Sequence, residues 1–295
     1  MGVMRIEAKT LALPLAAEAA HPYCAALEAG EILHLGASPI AFSAEELEFL
    51  RGQKKSEAGY HKNVAYRPRQ DRLTGYAGAE AERMHALMRD FSRQALAFLR
   101  ALLSPSRFDV DYASFRPLEE QGRPAKQNAR NDLLHVDSFP TRPSRGRRIL
   151  RFFVNVNPSE PRIWKTGPAF PALARELAAP SGLLAAYRHQ RAQPRWRQAL
   201  NAGLGRMGMA NQFRPPYDRF MLSFHDWLKA NGEFQSRQHL ISEFEPMASW
   251  MCMTDTVSHA VLRGRFALEQ TVLVLPETLQ APAEAPANVL AAMAG

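Results

Sequence analysis

His135 and Asp137 stand two residues apart in the run Leu133-Leu134-His135-Val136-Asp137-Ser138-Phe139-Pro140. Alternate side chains of a β-strand share a face, so this spacing sets an imidazole beside a carboxylate. Far downstream, Val257-Ser258-His259 offers a second imidazole. Two histidines and one carboxylate leave three positions open on a metal, the donor set of non-heme Fe(II) oxygenases. His135, Asp137 and His259 are therefore the candidate metal ligands and the candidate catalytic centre. A zinc hydrolase could use the same residue types, but a strand-spaced pair with a distant third ligand suits iron better. By itself the His-x-Asp pair is equally what a strand with an exposed histidine and a turn-forming aspartate would carry. The surrounding order favours the metal. The pair closes a strand, a turn follows at Ser138-Phe139-Pro140, and His259 lies near the start of a C-terminal hairpin. A double-stranded β-helix positions ligands in this order, the first two at one strand end and the third on a late strand beside them.

The elements that must hold these residues are legible in outline. Strands are expected at Glu31–Leu35, Asp109–Phe115, Leu133–Asp137, Arg148–Asn157, Ser249–Thr254, Val257–Arg263 and Arg265–Leu275. Ser43 with Glu46 three residues on forms a capping box and predicts a short helix to Leu50. Met84, Leu87, Met88, Phe91, Ala95, Phe98, Leu99 and Leu102 recur at helical spacing, so 79–103 reads as a packing helix. Further helices are expected at Phe170–Tyr187, Arg195–Leu204 and Tyr217–Asn231. The fold class is thus α+β: a jelly-roll core with strands at about 108–160 and 245–276, a helix-rich N-terminal part, and a helical insertion at about 165–235. One domain spans 1–280, and the Ala/Pro-rich 281–295 reads as a disordered tail.

Bulk composition bounds the function without choosing it. Of 295 residues, 46% are hydrophobic and 22% charged, the balance of a globular protein, and no apolar run is long enough to span a membrane. Two widely separated cysteines exclude a CxxC metal or redox motif and suit a reducing, cytoplasmic setting. The net charge of +8 favours anionic partners.

Beyond the triad, Leu133–Pro140, Arg148–Pro158, Pro161-Arg162-Ile163-Trp164, Thr254–Ala260, Leu268-Glu269-Gln270-Thr271 and Lys62-Asn63-Val64 resemble the Kdo hydroxylase family. The matches are spread over roughly 60–276. The resemblance implies a jelly-roll dioxygenase dependent on Fe(II), 2-oxoglutarate and O₂. Its implied reaction is 3-hydroxylation of the Kdo sugar of the lipopolysaccharide inner core, converting Kdo to Ko with release of succinate and CO₂. An anionic Kdo-containing glycolipid is then the expected partner. The expected place is the cytoplasm, with peripheral contact at the inner face of the inner membrane and no nucleic-acid partner.

Such chemistry requires a cation for the distal carboxylate of 2-oxoglutarate. Strand parity over 265–275 places Arg265 and Thr271 on the polar face, so these are the first candidates, with Arg263 as the alternative. Arg151 and Asn155, polar positions in an otherwise apolar strand, are expected near cosubstrate or substrate. The basic run Arg142, Arg145, Arg147 and Arg148 directly follows the first ligands and is the candidate substrate contact, although charge runs are more often simply solvated. Two other readings remain: an iron/2-oxoglutarate oxygenase acting on nucleic acid, with strongly salt-dependent binding, and a non-catalytic basic binding protein.

Overall fold

The structure is a computed structural model that describes residues 2–7, 11–53, 63–104, 106–122, 125–193 and 214–295. Eleven strands are found among these residues: β1 Val3–Ile6, β2 Ile32–Leu35, β3 Val64–Arg67, β4 Arg72–Thr74, β5 Phe108–Arg116, β6 Arg148–Asn155, β7 Arg162–Ala169, β8 Leu240–Phe244, β9 Ser249–Met253, β10 Val257–Arg263 and β11 Ala267–Val274. Eight run in the order β1-β2-β9-β6-β11-β5-β3-β4, and β10-β7-β8 form a second sheet. All pairs are antiparallel except β1 with β2. This is the expected jelly-roll.

Residue alternation explains how one sheet serves two environments. On β6, Leu150, Phe152 and Val154 face the helices, as do Met251 and Met253 on β9 and Leu268, Val272 and Val274 on β11. They bury against the N-terminal helices α1 (Ala17–Glu28), α2 (Ala44–Gly52) and α3 (Ala81–Leu102). All eight apolar positions anticipated on α3 are buried, and the Ser43–Glu46 capping box of α2 forms in full. The intervening residues turn toward the second sheet. There Phe153, Trp164, Phe244, Trp250 and Cys252 form a separate aromatic core.

Between β7 and β8 lie α4 (Phe170–Leu177), α5 (Leu183–Arg191), α6 (Pro216–Ala230) and α7 (Gly232–Ser236). The single helix expected over 170–187 is two, because Pro180 cannot continue α4 and Gly182 turns left-handed at φ 75°. The helix expected at 195–204 lies outside the described residues. A tail was expected at 281–295. Instead Pro286–Ala294 forms α8, whose Val289 and Leu290 bury against α4 and α5. Alanine-rich sequence lowers the cost of helix formation, and an apolar face supplies the docking energy. Leu133–Asp137 is extended but makes only an isolated bridge, His135 to His259, rather than a full strand. Among the described residues no helix is long and apolar enough to cross a membrane.

Candidate metal centre

That bridge is what assembles the triad. His135 N donates to His259 O at 3.1 Å and His259 N returns to His135 O at 2.9 Å, so the two histidines are held opposite one another. Asp137 N donates to Thr254 O at 2.7 Å, which turns the carboxylate to the same side. One ligand atom from each of His135, Asp137 and His259 lies within 4.8 Å of the others. The Nδ1–H of His135 is committed to Leu133 O at 2.7 Å and that of His259 to Val257 O at 2.8 Å. Each Nε2 is left with a lone pair, and a ligating histidine needs such a tautomer fixed by its other nitrogen. Burial lowers the pKa of both imidazoles, so both are neutral near pH 7. Burial alone would raise the Asp137 carboxyl. The Arg151 guanidinium and the His135 contact outweigh it and hold the carboxyl well below its usual range. Two neutral imidazoles and a carboxylate are ready to ligate without releasing a proton. The donor set fits one divalent metal.

The cavity beside the triad is lined by Arg116, Arg151, Arg162 and Trp164, among others. Arg151 Nε lies 3.0 Å from Asp137 Oδ2 as an ion pair, and its Nη1 donates to Glu269 Oε1 at 2.6 Å. Arg116 is paired with the other Glu269 oxygen and with Glu120. Arg162 differs. Fully buried, it donates through Nη1 to Gly264 O at 2.8 Å, forms no ion pair among the described residues, and has no partner for Nε. Burial pushes its pKa down to about 10, outweighing the opposing pull of the nearby Glu120 carboxylate. Two places along β7 on the same face, Trp164 stacks on His259 with ring centroids 5.1 Å apart, and its Nε1–H is also unpartnered. Two buried donors without acceptors, on side chains lining one cavity beside a metal triad, fit a carboxylate ligand.

Arg162 thus replaces the residues chosen from strand parity as candidate for the distal carboxylate. Arg265 precedes β11, donates to Pro117 O at 3.3 Å and lies over Phe266. Arg263 pairs with Glu160 at the exposed end of β10. Thr271 Oγ1 donates to Glu269 at 3.0 Å and does not line the cavity. Asn155 is structural: its Nδ2 donates to Phe244 O and Glu160 O, tying β6 to β8. Of the earlier cosubstrate candidates only Arg151 lines the cavity. The basic run is largely neutralised from within. Arg142 pairs with Asp111, Arg147 with Asp109, and Arg148 with Asp255 in full burial. Arg145 alone has an exposed side chain with no ion pair among the described residues, while its backbone N–H donates to the Asp218 carboxylate. Arg116, Arg162, Trp164 and Glu269 had no role assigned from sequence. The legible signal was β7 itself, where Arg162, Trp164 and Thr166 alternate with Ile163 and Lys165.

Two sheets enclosing a two-histidine, one-carboxylate triad define the class: a jelly-roll protein built to hold a single metal ion. A family model described as 3-deoxy-D-manno-oct-2-ulosonic acid (Kdo) hydroxylase matches residues 13–295. The chain belongs to the Kdo hydroxylase family. Among solved structures it is similar to the Kdo hydroxylase KdoO, described as a non-heme Fe(II) alphaketoglutarate dependent dioxygenase. The cobalt(II) complex gives 29% identity and a TM-score of 0.83 over 99% of this chain and 95% of that one. The complex with alphaketoglutarate and Fe(III) gives 29% and 0.82, covering 99% and 96%. The apo structure gives 29% and 0.84, again covering 99% and 96%. Comparison with curated protein sequences gives no match.

Proposed function

We propose that this protein is an Fe(II)- and 2-oxoglutarate-dependent dioxygenase that hydroxylates C3 of a Kdo sugar in the lipopolysaccharide inner core. The observation that carries this reading is the buried His135–Asp137–His259 triad beside a buried Arg162 whose Nε has no hydrogen-bond partner. His135, Asp137 and His259 hold the metal. Arg162 and the Trp164 Nε1–H receive the distal carboxylate of 2-oxoglutarate, with Arg151 bordering the same cavity. Iron with 2-oxoglutarate and O₂ supplies the oxidising power, releasing succinate and CO₂ and placing one oxygen atom on the sugar. The protein orients both substrates and shields the centre from water. The aromatic packing of Trp164, Phe153 and Trp250 serves that shielding.

Arg145 is the member of the basic run we assign to substrate, because Arg142, Arg147 and Arg148 are already paired with carboxylates. Arg142 lies over the Phe139 ring, which Arg151 also approaches, and Arg145 is free for a sugar carboxylate or lipid phosphate. We place the enzyme in the cytoplasm, with peripheral contact at the inner face of the inner membrane, where such a glycolipid is accessible. The internal pairing of Arg142, Arg147 and Arg148 weakens the nucleic-acid reading, because much of the densest basic run is already consumed.

The test is anaerobic loading with Fe(II), followed by succinate release from 2-oxoglutarate with and without a Kdo-containing lipid, and mass spectrometry of the lipid. Substrate-dependent succinate and a lipid heavier by one oxygen atom are expected, both abolished in His135→Ala. Iron binding with succinate release that ignores the Kdo lipid would discard the substrate. An absence of iron binding would overturn the reading as a whole.

A further inference from the structure

We infer that Glu269 is a positioning residue for the metal centre: it pins Arg151 so that Asp137 presents one oxygen to the ion and keeps the other on the guanidinium. The inference rests on the proposed triad and concerns a residue that touches neither metal nor cosubstrate. Register explains its reach. On β11, Glu269 lies between Ala267, opposite Arg116 on β5, and Thr271, opposite Arg151 on β6. Diagonal neighbours on one face of a sheet are within reach of long side chains. One carboxylate therefore spans three strands. Oε1 accepts from Arg151 Nη1 at 2.6 Å and from Thr271 Oγ1 at 3.0 Å, while Oε2 accepts from Arg116 Nη2 at 2.5 Å and Nε at 3.0 Å. Four donors converge on a fully buried side chain. Such a site selects an anion with both oxygens occupied, and the fork it fixes is rigid.

The consequence lies at Asp137. Arg151 meets it through Nε at 3.0 Å from Oδ2, while Oδ1 is directed to His135 Nε2 at 3.5 Å. Were Arg151 free to rotate, its guanidinium could take both Asp137 oxygens in a bidentate pair and compete with the metal. Glu269 holds Nη1 away from that arrangement. Thr271, buried and donating to the same oxygen, fixes the Glu269 rotamer in turn.

The test uses Co(II) as a visible probe of the full chain, with affinity, the ligand-field spectrum and thermal melting measured together. Glu269→Gln is expected to weaken Co(II) binding about 10- to 100-fold, the usual range when a partner that orients a ligand is lost, and to change the visible bands as Asp137 coordination changes. That variant leaves Arg116 and Arg151 with excess buried charge and can fail to fold. The double variant Glu269→Gln/Arg116→Met removes one cation and restores the net charge, with the buried Glu120 left to the neighbouring charge of Arg162. It is expected to melt near wild type yet retain the weakened affinity and altered bands. Wild-type affinity and spectrum in a folded Glu269→Gln, or full recovery of affinity in the double variant, would overturn the inference in favour of mere charge balance. Wild-type protein that binds no Co(II), or Asp137→Ala that still binds it fully, would instead sink the triad itself.

Discussion

Arg162→Met is expected to stabilise the metal-free protein while removing most of its affinity for 2-oxoglutarate. The two effects have one cause. Arg162 is a fully buried cation with no ion pair among the described residues, and burial, outweighing the nearby Glu120 carboxylate, has lowered its pKa to about 10. A shift of that size corresponds to a cost on the order of 3 kcal/mol for keeping the guanidinium charged. Apolar replacement of buried charge is often neutral or stabilising by about 1–4 kcal/mol, and methionine can follow most of the arginine stem. Binding moves the opposite way. Loss of one partner from a buried hydrogen-bonded charge pair costs roughly 2–5 kcal/mol, or about 30- to 4,000-fold in 2-oxoglutarate affinity. Thermal melts with metal, with and without 2-oxoglutarate, read both: the wild type gains stability from the ligand by mass action, whereas the variant starts higher and gains little. The sign with pH is fixed as well. A base with a depressed folded pKa destabilises the fold while charged, and that cost fades as pH rises through about 10. Cosubstrate affinity should therefore not titrate on Arg162 between pH 7 and 9, and should fall above about 10. Arg265→Met is the contrasting variant, expected to leave the KM for 2-oxoglutarate within about twofold because its guanidinium is spent on Pro117 O and Phe266. An unchanged KM in Arg162→Met, with the loss appearing in Arg265→Met, would reverse the assignment.

Why strand parity brought the triad together but chose an arginine that does not line the cavity is a matter of period. His135 and Asp137 are separated by one residue, a distance over which extended chain hardly departs from alternation, so their shared face survives even though the segment is only bridged. Arg265 was placed by extending the β11 alternation backwards past its end. There Gly264 takes φ 125° and Phe266 φ 56°, so the chain leaves the pleat before Ala267 and parity no longer holds. The same glycine served the residue that was overlooked. A Cβ at 264 would stand 2.9 Å from Arg162 Cγ, so glycine is what lets Arg162 pass close to that turn. β7 was not anticipated, since Pro161, Gly167 and Pro168 are residues that ordinarily interrupt a strand pattern. Its strand character comes from being paired on both sides, by β10 and β8. That most of the basic run is paired internally was hidden for another reason. Charge density is visible in sequence, but the acids that consume it, Asp109 and Asp111 on β5 and Asp255 before β10, come from distant segments.

Arg148 gives the second large effect, and it separates a substrate contact from a structural one. Its guanidinium is fully buried, with Nε 2.9 Å from Asp255 Oδ2 and a second contact to the Thr256 hydroxyl. The pair joins the first residue of β6 to the turn that leads into β10, the strand that carries His259. Arg148→Met should cost about 3–5 kcal/mol, because it strands Asp255 without its counter-charge in a buried site. Asp255→Leu in the same chain removes the stranded carboxylate and is expected to recover most of that loss. Burial raises the Asp255 carboxyl even with Arg148 present, and without the arginine it rises further. A carboxyl whose folded pKa exceeds its unfolded value destabilises the fold increasingly as pH climbs from the unfolded value to the folded one, and fully above it. The single variant should therefore be weakest at neutral and alkaline pH and regain stability as the solution is acidified toward the unfolded value near 4. Below its melting transition its KM for a Kdo-containing lipid should match wild type, since the guanidinium never meets solvent. Denaturant titration across pH, with KM measured on the folded variant, checks both. Wild-type stability with a raised KM would return Arg148 to the substrate surface. Lost stability with an unchanged KM would confine substrate recognition to the exposed part of the run, where Arg145 remains.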